Sequence, residues 1–322
     1  MAIQDKKLAI NSIDDLIRCS TLASLLEVSG WPKPGNVHRT RNFDSTLYEH
    51  FLAGIAAIQP NIRKFCEKIY KRSLNVGEDY SYVKMGVFFK ESTQQMIKWQ
   101  KGGNVLLGHI LLFAPLAAAA TICLKSEQKS YATFRFNLEK VIKDATVYDT
   151  LKLYEAIKLS NAGGLGQVEK YDLNDESSLI ELQNDNVNLL KIFELSKDYD
   201  NISLEYSTCF NITLNEGLPY FLEQFKETQA INDSVVNTFL KILAEHPDTL
   251  IIRKAGREKA KNVQMKAQQI LKVGGISSKK GLKQIETLDK ELQEEQGKLN
   301  PGTTADLLAA VLFCALLFGL KF

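Results

Sequence analysis

The stretch ILLFAPLAAAATICL, Ile110–Leu124, runs for fifteen residues without a charge. A membrane span needs about 20 apolar residues, so this run is expected as a helix buried inside a protein. A second run, LLAAVLFCALLFGL at Leu307–Leu320, has fourteen residues of the same character. A helix that is apolar all round must be covered on every side. Two of them therefore predict an all-α fold: a single-domain multi-helix bundle over residues 1–322 with these buried apolar helices at its centre.

The surrounding sequence agrees. Ser12 followed by Asp15 forms a helix-start signature, and Ile13, Leu16, Ile17, Ala23 and Leu26 keep helical spacing. Gly30 is expected at a left-handed helix end, with Pro32 forbidding continuation. Asp44 or Ser45 caps the next helix, which Pro60 is expected to end. Further helices are expected at about 82–99, 105–124, 133–143, 145–160, 187–198, 214–226, 231–245, 255–272, 279–295 and 303–320. The segment NISLEYSTCFNITL, 201–214, carries the best strand signal, with a helix as the alternative. The acidic segment 168–186 is expected as a surface excursion.

Forty basic residues against thirty-eight acidic ones leave a net charge of +2. That balance argues against a nucleic-acid binder driven by bulk charge, so any anion site must be local. Five dispersed cysteines without a CxxC pair predict reduced thiols, a cytoplasmic location and no zinc site. The polar N-terminus lacks the apolar core of a signal peptide, and no membrane partner is expected.

One loop stands out. EVSGWPKPGNVHRTRNFDS, Glu27–Ser45, combines two prolines and two glycines with Lys33, His38, Arg39, Arg41, Glu27 and Asp44. Proline stiffening lowers the entropy lost on ordering, and such a scaffold can aim cations at phosphate oxygens. A stiff surface turn with solvated charges is the plainer alternative. Two more junctions have a related design. KGGNVLLGH, 101–109, sets a Gly-Gly-Asn turn before the most apolar helix, where Asn104 can cap it and free N–H groups can meet an anion. LNPGTTADLL, 299–308, places Thr303 or Thr304 as a cap, with Asp306 in the first turn of the last helix. Asp306 can serve as a helix-dipole acid or hold a phosphate-bound Mg²⁺. HPDTLIIRKAGREKA, 246–260, brings Asp248, Arg253 and Lys254 to a helix junction. His109, on an apolar helix, is expected as a satisfied core histidine. NAGGLG, 161–166, is weak evidence for a nucleotide without a strand or a Walker lysine.

Taken in order, EVSGWPKPGNVH, GGNVLLGHILLFAPLAAA, PDTLIIRKAG and NPGTTADLLAA resemble the triphosphoribosyl-dephospho-CoA synthase family. The resemblance spans about Ser20 to the C-terminus and looks closest to the archaeal branch, through YEAIKLSNAGGLG and LNPGTTADL. It implies an all-helical transferase that moves the triphosphoribosyl group of ATP to the ribose 2′-hydroxyl of 3′-dephospho-CoA and releases adenine. It also implies ATP with Mg²⁺. On that footing Lys33, Arg39, Arg253 and Lys254 are the phosphate-clamp candidates. Gly35, Asn104, Gly108, Asn300, Thr303 and Thr304 complete the expected ATP site. Asp306, then Asp248, are the metal candidates, and Glu27, Asp44 and His38 the catalytic ones. Val105 and Leu106 replace the family's threonine and a polar residue, and HRTRNFDS replaces its bacterial glycine-alanine-histidine stretch. Transfer or phosphorylation on another acceptor, and nucleotide binding without turnover, are the alternatives. A homodimer is compatible with the sequence.

Overall fold

The structure, a computed structural model, describes residues 5–72, 79–126, 129–161, 163 and 170–322. Among the described residues there are fifteen α-helices and only isolated β-bridges, Lys7 with Ser130 and His38 with Arg41. The helices are α1 Ile13–Ser29, α2 Tyr48–Lys71, α3 Met85–Trp99, α4 Leu107–Lys125, α5 Tyr131–Lys143, α6 Val147–Ser160, α7 Ser178–Asn184 and α8 Leu189–Ser196. They continue as α9 Asn201–Ser207, α10 Leu218–Thr228, α11 Ile231–Glu245, α12 Thr249–Ala255, α13 Arg257–Lys272, α14 Lys279–Glu294 and α15 Gly302–Leu317.

The two apolar runs are α4 and α15. Every residue of α4 from Leu107 to Cys123 is buried, and α15 is buried throughout except at its first residue and Asp306. The rings of Phe113 and Phe313 join the two helices at 4.8 Å. α4 packs against α2, α3, α5 and α15, while α15 also contacts α1, α10 and α11. With 19 residues, α4 is long and apolar enough to cross a bilayer, yet 94% of its most apolar window is buried inside the protein. It is a core helix.

Three local features differ from expectation. α2 runs through Pro60 to Lys71. Pro60 and Ala56, whose carbonyl loses its i+4 donor, both face solvent, so water can replace the missing bond. Gly30 ends α1 at φ −53° rather than in a left-handed turn. A glycine is needed there because a Cβ would come within 2.8 Å of Val235 Cγ1 on α11. Residues 201–214 form no strand: α9 is followed by left-handed Cys209 and Phe210 and a π-helical turn, Ile212–Gly217. Burial of Ile202, Tyr206, Phe210, Ile212 and Leu214 against the helical core overrides their strand propensity.

α4 contains its own proline, Pro115, which leaves the Leu111 carbonyl without its i+4 donor. That carbonyl is buried, where a lost bond is costly. Tyr206, on α9, donates its hydroxyl to it at 2.7 Å. Within the acidic excursion, α7 and Tyr171 form a small satellite core with Tyr154, Leu182 and Val187.

Candidate active site

The site is assembled where α1, α4, α12 and α15 begin or end. α1 delivers Glu27 in its last turn, and the proline loop then turns back so that Lys33 meets it. Lys33 is completely buried. Its ammonium bonds the Glu27 carbonyl at 2.7 Å and the Glu27 carboxylate. Burial pushes the Glu27 carboxyl up and the Lys33 ammonium down, and their mutual attraction opposes both shifts. Lys33 therefore stands as an internal counter-charge rather than a solvent-facing cation.

Asp306 lies at the second turn of α15, not the first, because α15 begins at Gly302. Its carboxylate rests on the start of α4. A Cβ at Gly108 would come within 2.6 Å of Asp306 Oδ1 and nearer still to Oδ2. Only a glycine admits that approach. Asp306 keeps 21% side-chain exposure and accepts no hydrogen bond among the described residues. Enclosure by protein, then repulsion from Glu27 and Asp248, raise its carboxyl well above the usual range. His109, one residue beyond Gly108, joins the two acids: its Nε2 is 3.5 Å from Glu27 Oε2 and 3.6 Å from Asp306 Oδ1. Its Nδ1 meets Ser24 Oγ at 3.0 Å. Burial, and then the Lys33 charge, push this imidazole down to about 3, so it is neutral.

Asp248 is fully buried and caps two helices. Its Oδ1 accepts from Leu250 N at 2.9 Å and Ile251 N at 3.0 Å. Its Oδ2 accepts from Thr304 N at 2.7 Å and Thr304 Oγ1 at 2.8 Å. A carboxylate has about four acceptor positions, so none remains for a metal. Thr303 and Thr304 are likewise engaged: Thr303 Oγ1 accepts from Thr249 Oγ1 at 3.2 Å. α15 is capped from outside by Asp248 instead of by its own threonines.

The remaining cations lie around this centre. Arg253 pairs with Asp200 at 2.9 Å and lies close enough to Asp306 to lower its pKa. Lys254 donates to the Gly297 carbonyl at 3.3 Å, and its Cε lies 3.9 Å from where a Cβ on Gly163 would stand. Gly163 and Lys254 are thus neighbours; residues 162 and 164–166 of the NAGGLG motif lie outside the described residues. Asn104 Oδ1 accepts from Leu107 N, the first residue of α4, at 3.1 Å, although Leu106 and not Asn104 holds the N-cap position. Val105 and Leu106 turn inward against Gly54 of α2.

The rest of the proline loop is pinned by α14. Asp289 Oδ1 accepts from Gly35 N at 2.9 Å, and its Oδ2 lies 3.6 Å from His38 Nε2 and 3.9 Å from Arg41 Nε. Gly35, at φ +73°, packs on Leu292. Asn36 Nδ2 donates to Asn300 Oδ1 at 2.9 Å, tying this loop to the start of α15. His38 is buried and Asp44 exposed; neither bonds Glu27, Lys33, His109 or Asp306. Arg39 is exposed, 5.8 Å from the Trp31 ring and 3.5 Å from Asn232 Oδ1. The structure therefore unites Glu27, Lys33, Gly108, Asp306 and Arg253, and leaves His38, Asp44 and Arg39 outside that cluster. Asp289 and Asp200 are not among the sequence candidates; His109 is buried and bonded to Ser24 as expected of a core histidine, but it also faces both acids. A histidine one residue past the glycine of a helix start was the only available signal for His109.

A family model described as ATP:dephospho-CoA triphosphoribosyl transferase matches residues 13–321. The 2-(5''-triphosphoribosyl)-3'-dephosphocoenzyme-A synthase of Klebsiella pneumoniae is 31% identical over 109 residues, 34% of this chain and 35% of the relative. A probable synthase of the same name from Stutzerimonas stutzeri is 30% identical over 104 residues, 32% of this chain and 35% of the relative. The chain thus spans about a third of the length of these curated relatives. The crystal structure of a proposed triphosphoribosyl-dephospho-CoA synthase from Archaeoglobus fulgidus superposes with a TM-score of 0.64 and 25% identity, covering 85% of this chain and 100% of that one. With the family model matching nearly its whole length, this chain belongs to the ATP:dephospho-CoA triphosphoribosyl transferase family.

Proposed function

We propose that the protein transfers the triphosphoribosyl group of ATP to the ribose 2′-hydroxyl of 3′-dephospho-CoA. The 2′-oxygen bonds to C1′ of the ATP ribose as the C1′–N9 bond to adenine breaks. The hydroxyl gives up its proton and the departing base takes up one, so adenine leaves neutral and the protons balance. The observation that carries this is the Asp306 carboxylate. It reaches solvent, accepts no hydrogen bond among the described residues, and is seated on Gly108 beside Glu27 and His109. Positive charge develops on the sugar as adenine departs, and a fixed carboxylate stabilises it. Arg253 and Lys254 are the cations available to a triphosphate that must be held without cleavage. Asn104, Asn300 and the first turns of α4 and α15 frame it.

Mg²⁺ fits the same residue. A hard cation seeks carboxylate oxygen, and Asp306 offers one that accepts no hydrogen bond among the described residues, whereas Asp248 does not. Bound there with ATP, the ion would neutralise phosphate charge. Glu27, closed in by Lys33, acts from behind by setting the field at Asp306.

Free adenine tests the proposal. Adenine released from ATP and Mg²⁺ only when dephospho-CoA is present supports it. ADP or phosphate would point to a kinase or ATPase, and tight ATP binding without any product to a non-catalytic binder. Asp306→Asn is expected to abolish Mg²⁺-dependent ATP binding with the helical circular dichroism unchanged. Retained binding would reduce Asp306 to a structural acid.

A further inference from the structure

His109 is buried between two acids, yet the protonation of its two nitrogens can be read from what they face. Ser24 Oγ has no other hydrogen-bond partner among the described residues. Were Nδ1 protonated, the Ser24 hydroxyl would be a buried donor without an acceptor, which costs about 1–3 kcal/mol. A bare Nε2 would also point its lone pair between the Glu27 and Asp306 carboxyls, 3.5 and 3.6 Å away. Both problems vanish when Ser24 donates to Nδ1 and Nε2 carries the hydrogen. The Phe113 ring stacks on the imidazole at 5.5 Å and fixes its plane.

We propose that His109 is the positioning residue of this site, locked by Ser24 as the Nε2–H tautomer so that one N–H faces both the Asp306 carboxylate and the Glu27–Lys33 pair. The proline loop and the last helix are thereby registered through a side chain of α4. This rests on the proposed function for what Asp306 meets, but the tautomer does not. Partners that orient a ligating side chain typically cost 10–100-fold in affinity or activity when removed.

Three measurements test it. In protein carrying ¹⁵N-histidine, the signals lost in His109→Gln should show a protonated Nε2 and a bare Nδ1 in the wild type. A protonated Nδ1, alone or with Nε2, would overturn the proposal. Ser24→Ala should bring the second tautomer into the spectrum; an unchanged spectrum would remove Ser24 from the lock. His109→Leu should weaken Mn²⁺·ATP binding, read by electron paramagnetic resonance, by about 10–100-fold. His109→Gln, whose amide N–H reaches nearly the same place, should restore most of it. Equal losses in both would mean only a packing role. If His109→Leu does not fold, the wild-type and Ser24→Ala spectra still decide. A wild type that releases no adenine but holds the tautomer would sink the reaction and leave this inference standing. Adenine release unaffected by His109→Leu would sink this inference alone.

Discussion

Gly108→Ala isolates the seating of Asp306. Gly108 lies in the first turn of α4 without a left-handed backbone, so alanine introduces no φ strain. In a helix it is if anything favourable, by about 0.5–1 kcal/mol in an interior position. Its methyl, however, would stand within 2.6 Å of Asp306 Oδ1 and closer to Cγ and Oδ2, where ordinary contact begins at 3.4 Å. The carboxylate must retreat by roughly an ångström, and a 1 Å misplacement can cost about 10²-fold in rate. Adenine release should therefore fall by about two orders of magnitude while the melting temperature holds or rises. Gly103→Ala is the control. Gly103 has φ +76° but open space around its Cβ, so it should strain the turn without moving Asp306. Wild-type turnover in Gly108→Ala would refute the idea that Asp306 acts from this seat.

Three further outcomes are expected. Tyr206→Phe keeps the stack on Phe193 at 4.1 Å but strands the Leu111 carbonyl, costing about 1–3 kcal/mol; in a Pro115→Ala background, where Leu111 regains its helical donor, the cost should largely vanish, and equal losses in both backgrounds would dismiss the link. Glu205 is fully buried with Oε2 unpartnered among the described residues, and burial pushes its carboxyl up to about 8; the folded state thus keeps a proton that the unfolded chain releases above its ordinary 4.5, so stability should fall as pH rises from there towards 8, by at most about 1.4 kcal/mol per unit, and Glu205→Gln should flatten that slope in thermal melts. Asp289→Asn keeps an acceptor for Gly35 but loses the charge facing His38 and Arg41; the KM for ATP should rise more than kcat falls, and unchanged kinetics would confine Asp289 to a fold role.

The helices were legible because their apolar spacing is local, and α4 and α15 because uniform apolarity can only be buried. Pro60 misled because its effect depends on which side of α2 faces water, which spacing does not state. Residues 201–214 misled because aromatic and β-branched residues suit a helical core as well as a sheet. The site was half legible. Glycine and proline junctions marked where chain segments converge, and Gly108 and Asp306, taken from two of them, do adjoin. Lys33 was read as an outward cation because nothing local says that Glu27 is waiting beneath it. His109 and Asp289 take their meaning from residues 82 and 254 positions away, Glu27 and Gly35. Charge on a helix without its tertiary partner looks like any solvated face.

Asp248 has a practical consequence for protein engineering. One side chain fastens the segment before α12 to the segment opening α15, so the two stretches form a single structural unit. A chimera that imports residues 246–256 from a relative would keep its footing only if residues 299–307 came from the same parent. Exchanging either alone exposes a cap fitted to the wrong neighbour, and misfolding would be seen far from the graft, in the core that α15 supports.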